Sequence, residues 1–157
     1  MELKKILNEI QYDVLKGNDE VNINEINYDS RKVKANDVFV CIKGFQSDGH
    51  KFVSSAIEKG AKVIVCEEPI KSDENITIIK VADTRKALAK MGANFYDNPS
   101  KKMKMIGVTG TNGKTTTAFM IKTILEEAGI KAGLIGTIAN FIGSEKLHTE
   151  RTTPESL

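Results

Sequence analysis

The sequence lacks the cysteine pattern of a disulfide-bonded or metal-binding protein. It has two cysteines, Cys41 and Cys66, and each lies inside a short apolar run with no second cysteine or histidine at the spacing of a metal site. The two histidines, His50 and His148, are also far apart in the sequence. This favours a position in a first helical turn for His50 over a role as a base or metal ligand. We therefore expect both cysteines to be buried, reduced thiols.

The sequence also lacks a long hydrophobic run and a block of like charge. Its longest apolar runs, such as VFVCI and VIVC, are far too short to cross a bilayer, and the first ten residues carry charges where a signal peptide needs an apolar core. The net charge is +2 and the lysines are spread along the chain, unlike the basic surface of a nucleic-acid-binding protein. The sequence predicts a cytoplasmic protein that binds neither membrane nor nucleic acid, and we expect a monomer.

What the sequence does have is an alternation of short apolar runs and stretches with helical periodicity. Of its 157 residues, 40% are hydrophobic and 28% are charged, which suits one large domain or two small ones. The predicted elements are, in order, a helical face formed by Leu3, Ile6, Leu7, Ile10 and Val14, strand 37–44, a helix from Asp48 to Gly60, strands 61–67 and 76–81, and a helix from Asp83 to Tyr96. This βαβ order predicts an α/β domain with a mostly parallel sheet.

A break in the pattern at YDNPSKK, where Asn-Pro-Ser ends the helix, predicts a domain boundary near residue 100. Residues 1–100 then form one domain and residues 101–157 the start of another. The second part has a predicted strand at 103–109, a glycine-rich loop, a helix from Thr115 to Ala128 that buries Ile124 and exposes Lys122, and a strand at 132–138. Because two strands cannot close such a core, we expect this domain to be truncated, with a short natural chain as the alternative.

The glycine-rich loop, GVTGTNGKTTT, joins the predicted strand to the predicted helix. A loop in this position presents backbone N–H groups at the positive end of a helix dipole, which suits a polyphosphate. Gly110 and Gly113 allow positive φ angles and a close approach to phosphate oxygens, and Lys114 adds a compact positive charge. The hydroxyl of Thr115 suits a magnesium ion.

The loop departs from the general P-loop pattern G-x-x-x-x-G-K-[ST]. Five residues before Gly113 lies Val108, and the nearest glycines are Gly107 and Gly110. A solvent-facing turn that happens to contain Gly-Lys is the alternative. The strand predicted before the loop and the amphipathic helix predicted after it favour phosphate binding.

This shortened loop resembles that of the Mur ligase family, the ATP-dependent ligases that build the peptide stem of bacterial peptidoglycan. Further segments carry the same resemblance in the family's order, namely DSRKVKANDVFVCIKGFQSDGHKF, FYDNPSKKMKMIGV, GLIGTI and TTPESL. Within the family, the E-type enzymes, which add the third residue of the stem, are the most similar. The F type shares the N-terminal motif and is the alternative.

The resemblance implies a UDP-substrate-binding N-terminal domain followed by the start of a P-loop ATPase domain. The residues implied to line the uracil pocket are Tyr28, Ser30, Phe45, Gln46 and Ser47. Those implied to contact the nucleotide sugar are Thr152 and Thr153. Those implied to bind the phosphates of ATP are Gly110, Thr111, Asn112, Gly113, Lys114, Thr115 and Thr116, with Lys114 and Thr115 acting in catalysis and Thr115 holding Mg²⁺. Judged by residue type alone, the segment around Ser30 would be an ordinary polar turn, and Thr152 and Thr153 would be loop.

One position departs from the family's pattern. Asn36 stands where the family usually has glycine. Asparagine also tolerates a left-handed backbone, so the departure changes little.

The implied reaction joins an amino acid to UDP-MurNAc-L-Ala-D-Glu through an acyl phosphate, for the bacterial cell wall and thus for cell shape and division. The amino acid is diaminopimelate or lysine, and the sequence does not distinguish them. The family's remaining magnesium ligands, its modified lysine, its central-domain histidine and the amino-acid site would lie beyond Leu157, so we expect these 157 residues alone to have no ligase activity.

Two hypotheses that assign the chain to other classes of protein remain. A complete small P-loop NTPase would need an acidic magnesium ligand at the end of a later strand, and GLIGTI ends in none. A non-catalytic nucleotide-binding module would bind ATP without turnover and would give the predicted uridine-site residues no role.

Overall fold

The structure is a computed structural model that describes residues 1–44, 47–72, 74–147 and 155–157. The chain divides into two compact units, Met1–Lys102 with Ser156–Leu157, and Met103–Glu155. Among the described residues, none of the helices has the length and apolar character that crossing a membrane requires.

The first unit is a five-stranded sheet with helices on both faces. Its elements are α1 (Leu3–Ile6), β1 (Tyr12–Lys16), β2 (Ile26–Asn27), β3 (Val38–Val40), a 3-10 turn (Gly49–Phe52), α2 (Val53–Glu58), β4 (Val63–Cys66), β5 (Thr77–Val81), α3 (Thr84–Phe95) and a second 3-10 turn (Pro99–Lys102). The strand order is β1-β5-β4-β3-β2. Strands β2 to β5 are parallel, and β1 is antiparallel to β5. The predicted α/β fold with a mostly parallel sheet is confirmed.

The centre of the sheet is buried on both faces, which explains why the sequences of β3 and β4 are continuous apolar runs. Val38, Val40, Val63 and Val65 pack with α1 and α3 on one face. On the other face, Phe39, Cys41, Ile64 and Cys66 pack with α2. Each fully buried aliphatic or aromatic side chain contributes about 1.5–3 kcal/mol, so these strands supply much of the unit's stability.

The two cysteines are buried free thiols, as predicted. Burial raises the pKa of both thiols, and that of Cys66 rises to about 11. Neither thiol is therefore an activated nucleophile.

The helix predicted in residues 2–16 is wrong beyond its first turn. Helix α1 ends at Ile6, and Glu9 takes a left-handed backbone with φ of 61°. Residues Tyr12–Lys16 instead form β1, in which Val14 pairs with Ile79 of β5 and is 41% exposed. The segment forms a strand because it pairs with the otherwise free edge of β5. This pairing joins residues that are distant in the chain, so the helical periodicity of the segment could not predict it.

The helix predicted from Asp48 to Gly60 forms with a modified start. Asp48 caps it as predicted, since its side chain accepts from the backbone N–H of His50. The first residues wind as a 3-10 turn before α2 begins at Val53, and His50 lies in this first turn as expected. Gly60 follows the helix with φ of 98°, in the left-handed region that favours glycine.

Gly49 has no room for a side chain. A Cβ atom there would lie 2.7 Å from the backbone nitrogen of Ile42 and 3.0 Å from backbone carbons of Cys41. We expect Gly49→Ala to lower the free energy of unfolding by about 2–3 kcal/mol, because backbone on both sides must shift. Urea unfolding measures this, with Lys51→Ala at an exposed position of the same turn as the control. Equal unfolding midpoints for Gly49→Ala and the control would contradict the expected clash.

The second unit contains one long helix and a small antiparallel sheet. Its elements are α4 (Lys114–Glu127), β6 (Gly133–Leu134), β7 (Asn140–Ile142) and β8 (Glu145–Leu147), with sheet order β6-β7-β8. The predicted helix is confirmed to within one residue at each end. The predicted strand at 132–138 is reduced to β6, and the predicted strand at 103–109 does not form. No described strand pairs with that segment, and Met105 and Ile106 are exposed.

The predicted orientation of α4 is wrong at two of its positions. Ile124, expected in a core, is 66% exposed, whereas the side chain of Lys122, expected in solvent, is 11% exposed. The Lys122 ammonium lies 5.6 Å from the ring centroid of Phe141 in β7 and 2.5 Å from Glu126 Oε1. Phe141 thus covers the side of the helix that carries Lys122, and the pairing with Glu126 lets the lysine stem pack there.

Candidate functional site

The predicted substrate residues of the first unit follow two neighbouring parallel strands. Tyr28 and Ser30 come directly after β2, and Ser47 lies in the loop after β3. Because parallel strands end at the same edge of a sheet, these residues share its carboxyl edge, where α/β sheets bind ligands. Phe45 and Gln46 lie outside the described residues.

The turn after β2 is organised by Asp29 and Arg31. The Asp29 carboxylate accepts from the backbone N–H of Arg31 at 2.9 Å and from its guanidinium Nη2 at 2.7 Å. The Arg31 hydrogen bonds lower the pKa of Asp29 to about 2. Since that carboxyl has an ordinary pKa of about 4, the pair's small contribution is present above about pH 4 and is lost as the pH falls toward 2. The pair fixes the path of the backbone on either side of Ser30.

Tyr28 and Ser30 occupy different environments in this turn. Tyr28 is half-buried and lines a polar cavity of about 290 Å³ together with Asp29 and Lys32. Ser30 is buried, and its carbonyl oxygen accepts from Nζ of Lys59 at 3.0 Å. Lys59 comes from the end of α2. This contact could not be predicted from the sequence, because the two residues are far apart in the chain.

Asp37 stabilises the segments on both sides of this turn through hydrogen bonds. It is 1% exposed, and its carboxylate accepts from the backbone N–H groups of Glu25 (3.1 Å) and Lys34 (2.8 Å) and from the side-chain amide of Asn27 (2.9 Å). The preceding Asn36 has a left-handed backbone, with φ of 64°, a conformation that asparagine tolerates as expected. Sequence reasoning missed the role of Asp37, and an aspartate directly before a buried apolar run was the signal that could have found it.

The loop after β3 closes on itself. The N–H of Gly44 donates to the carbonyl of Ser47 at 2.8 Å, and Lys43 forms a backbone bridge with Asp48. Nη1 of Arg85 in α3 donates to the carbonyl of Lys43 at 3.1 Å. Ser47 is exposed at the sheet edge, where it can meet a ligand.

In the second unit, the glycine-rich loop has the backbone that its sequence predicts. Gly110 has φ of 149° and Gly113 has φ of 77°, both in the region that favours glycine. The side chain of Lys114 lies over the loop, and its Nζ donates to the carbonyls of Gly110 at 2.6 Å and Thr111 at 3.3 Å. Among the described residues, no atom other than those of Gly113 and its chain neighbours lies within 4 Å of a Cβ placed on Gly113, so this side of the loop is open.

The start of α4 is open, unlike that of α3. In α3, Asp83 caps the N–H of Lys86 and Glu67 accepts from the N–H of Thr84, so two carboxylates close that end. In α4, Gly113 occupies the cap position and makes no side-chain cap. The first N–H groups of the helix have no acceptor within the helix, and no side chain caps them. An uncapped positive helix end with an added lysine is suited to an anion.

Thr115 and Thr116 lie in this first turn of α4, Thr115 half-buried and Thr116 exposed. Asn112 is an exposed member of the loop. The residues predicted to contact the nucleotide sugar, Thr152 and Thr153, lie outside the described residues, as does His148. In the described part of the chain, no cluster of three or more His, Cys, Asp or Glu side chains could hold a metal ion.

Comparison with known proteins gives relatives of the whole chain. A curated relative from Clostridium acetobutylicum, UDP-N-acetylmuramoyl-L-alanyl-D-glutamate--2,6-diaminopimelate ligase 1, is 57% identical over 100% of this chain and 33% of its own length. The chain thus spans about a third of the length of the curated relatives it matches.

Two solved structures are similar as well. MurF from Acinetobacter baumannii is 34% identical, with a TM-score of 0.64 over 80% of this chain and 27% of that one. MurF ligase from Thermotoga maritima, solved in complex with ADP, is 33% identical, with a TM-score of 0.50 over 66% of this chain and 23% of that one.

Family models cover most of the sequence. The model of the Mur ligase family catalytic domain matches residues 22–96, which include β2 to α3 and the two polar loops at the sheet edge. The model of the Mur ligase middle domain matches residues 108–157, which include most of the glycine-rich loop and α4. Both models and the relatives agree with the resemblance of the individual motifs, and the chain belongs to the Mur ligase family.

Proposed function

We propose that this chain supplies the uridine-nucleotide-binding domain and the phosphate-binding loop of a ligase that joins diaminopimelate to UDP-MurNAc-L-Ala-D-Glu. The observation that carries the proposal is 57% identity, along the whole chain, to a relative whose name states that reaction. The relatives' names also favour diaminopimelate over lysine as the amino acid. The cytoplasmic location and the monomeric state stay predictions, as does the absence of nucleic-acid binding.

The glycine-rich loop supports ATP as the phosphoryl donor. Gly113 faces open space at the uncapped start of α4, and Lys114 brings a positive charge to the same loop. In the proposed complex, the phosphates displace the loop carbonyls from the Lys114 ammonium and accept from the first N–H groups of the helix. The MurF structure solved with ADP is consistent with a nucleotide in this family.

Magnesium fits the same loop through Thr115, whose hydroxyl lies in the first turn of α4. When bound, the ion neutralises negative charge on the phosphates. The chain's own contribution is positional: Lys114 and the helix N–H groups hold the phosphates and offset charge that develops between them. The substrate carboxylate then takes the terminal phosphoryl group to give an acyl phosphate, and the incoming amine displaces phosphate.

The turns at the sheet edge support the uridine end of the substrate. Tyr28 offers a ring and hydroxyl beside a polar cavity, and Ser30 and Ser47 lie at the same edge. Phe45 and Gln46 are proposed for the same pocket, and Thr152 and Thr153 for the nucleotide sugar. These assignments follow the family's motif residue by residue.

An F-type ligase is the second candidate, because the two MurF structures are 33–34% identical to this chain. The two types differ in the peptide of the UDP-linked substrate, which is a dipeptide for the E type and a tripeptide for the F type. Tighter binding of the UDP-linked tripeptide than of the dipeptide would move the proposal to the F type.

Replacement of Ser30 tests the proposed uridine pocket. We expect Ser30→Ala to weaken binding of UDP-MurNAc-L-Ala-D-Glu about fivefold, the loss of one hydrogen bond, and to leave ATP binding unchanged. Isothermal calorimetry with each ligand measures both. Ser54→Ala, at an exposed position of α2, is the matched control and should bind both ligands as wild type does. Two outcomes would contradict the two-site proposal: a Ser30→Ala variant that binds ATP more weakly than wild type, or one that binds both ligands as wild type does.

A further inference from the structure

A chain of hydrogen bonds connects the loop after β3 to the end of β4 through His50. Oδ1 of Asp48 accepts from the backbone N–H of His50 at 3.0 Å and lies 2.6 Å from its Nδ1. Nε2 of His50 accepts from the backbone N–H of Glu67 at 3.3 Å. Oε1 of Glu67 in turn accepts from the N–H and the hydroxyl of Thr84, both at 2.8 Å. The imidazole thus bridges a loop residue and the first residue after β4.

The two partners of the ring define where its proton lies. The backbone N–H of Glu67 can only donate, so Nε2 of His50 must be the unprotonated acceptor. The Asp48 carboxylate accepts, so Nδ1 carries the proton and donates to it. The His50 side chain is only 14% exposed, so water has little access to either bond. The ring is therefore fixed at both ends.

The loop that this ring holds is the one that carries Ser47. Its first residues are tied to α3 through the hydrogen bond from Arg85 to the carbonyl of Lys43. Its last residue, Asp48, is tied to β4 and α3 through His50 and Glu67. Ser47 directly precedes Asp48, so the position of its backbone depends on the His50 bridge.

We infer that His50 is a positioning residue for the uridine-nucleotide substrate. Through Asp48 it holds Ser47 at a fixed position relative to the end of β4. The inference rests on the proposed function, which makes Ser47 a substrate contact. His50 itself touches no substrate in this account, and the sequence had indicated only that it lies in a helical turn.

Three replacements of His50 separate its two bonds. His50→Ala removes both, His50→Asn retains a donor at the place of Nδ1, and His50→Gln retains an acceptor at the place of Nε2. We expect His50→Ala to weaken binding of UDP-MurNAc-L-Ala-D-Glu about tenfold with ATP affinity unchanged. His50→Asn should recover most of the affinity, because the bond to Asp48 is the one that reaches the loop, and His50→Gln should recover less.

Amide hydrogen exchange tests the same inference without any ligand. The N–H of Gly44 donates to Ser47 and that of Gly49 donates to Ile42, so both report whether the loop stays closed. We expect their exchange to be about tenfold faster in His50→Ala than in wild type. Lys51→Ala, at the exposed neighbouring position, is the control and should leave exchange and both affinities unchanged.

The outcomes separate this inference from the proposed function. A His50→Ala protein that melts at a lower temperature but binds the UDP-substrate as wild type does would have lost only stability, and the inference would be overturned. Unchanged exchange at Gly44 and Gly49 would also overturn it. If wild type bound ATP but not the UDP-substrate, the proposed function would fail, and exchange alone would decide whether His50 holds the loop.

Discussion

Replacing Lys114 with alanine is expected to weaken ATP binding about a hundredfold while leaving UDP-MurNAc-L-Ala-D-Glu binding unchanged. The ammonium lies within hydrogen-bond distance of Gly110 O and Thr111 O, over the loop that faces open space. Its removal takes one positive charge and its hydrogen bonds away from the phosphates, a loss of about 2.7 kcal/mol. Calorimetric titration of the variant with ATP and magnesium measures the effect.

Two companion variants make this result specific to the loop. Lys114→Arg keeps the charge but changes its shape, so we expect it to recover part of the ATP affinity. Lys131→Ala removes an exposed lysine of the same unit and should bind ATP as wild type does. Equal ATP affinities in Lys114→Ala and Lys131→Ala would mean that the loop is an ordinary turn and not a phosphate site.

Replacing Asp37 with alanine is expected to lower the free energy of unfolding by about 3–5 kcal/mol, a large effect for a single side chain. The side chain is fully buried, and its removal leaves two backbone N–H groups and the amide of Asn27 without their acceptor. Hydrogen bonds to a charged group contribute about 1.5–3 kcal/mol each, and unsatisfied buried donors add to the cost. Urea denaturation followed by circular dichroism measures the loss.

Two further variants, Asp37→Asn and Asp13→Ala, test whether the loss of stability comes from the buried acceptor of Asp37. Asparagine keeps one acceptor in place, so its cost should fall between those of wild type and Asp37→Ala. Asp13 is exposed on β1, and its removal should change the unfolding free energy by less than about 0.5 kcal/mol. An Asp37→Ala protein as stable as Asp13→Ala would contradict the view that this carboxylate organises the turn after β2.

The central fold could be predicted from sequence because its signals are local. Strands β4 and β5 are short apolar runs, and α3 begins after Asp83, whose side chain caps the helix as an N-terminal aspartate should. The glycine-rich loop could be predicted equally well, because the left-handed backbone of Gly113 and the start of the following helix are determined by residues adjacent in the chain. Such features require only propensity, capping and periodicity.

The features that were missed depend on contacts between distant residues. Val14 lies in a strand because β5 offers a free edge, and Lys122 is covered because Phe141 packs against that side of α4. The contacts of Lys59 with Ser30 and of His50 with Glu67 likewise join segments that are separate in sequence. A single sequence carries no local sign of such pairs. The predicted substrate residues could therefore be named from the family's motif, but the groups that hold them in place could not.

The most direct test of this account is calorimetric titration of the chain with UDP-MurNAc-L-Ala-D-Glu, with ATP and magnesium titrated separately. We expect each ligand to bind at its own site, with one equivalent of each and little effect of one on the other. A folded protein that binds ATP but gives no heat with the UDP-substrate would contradict the assignment of the sheet edge to the uridine nucleotide. It would leave the chain as a nucleotide-binding module alone.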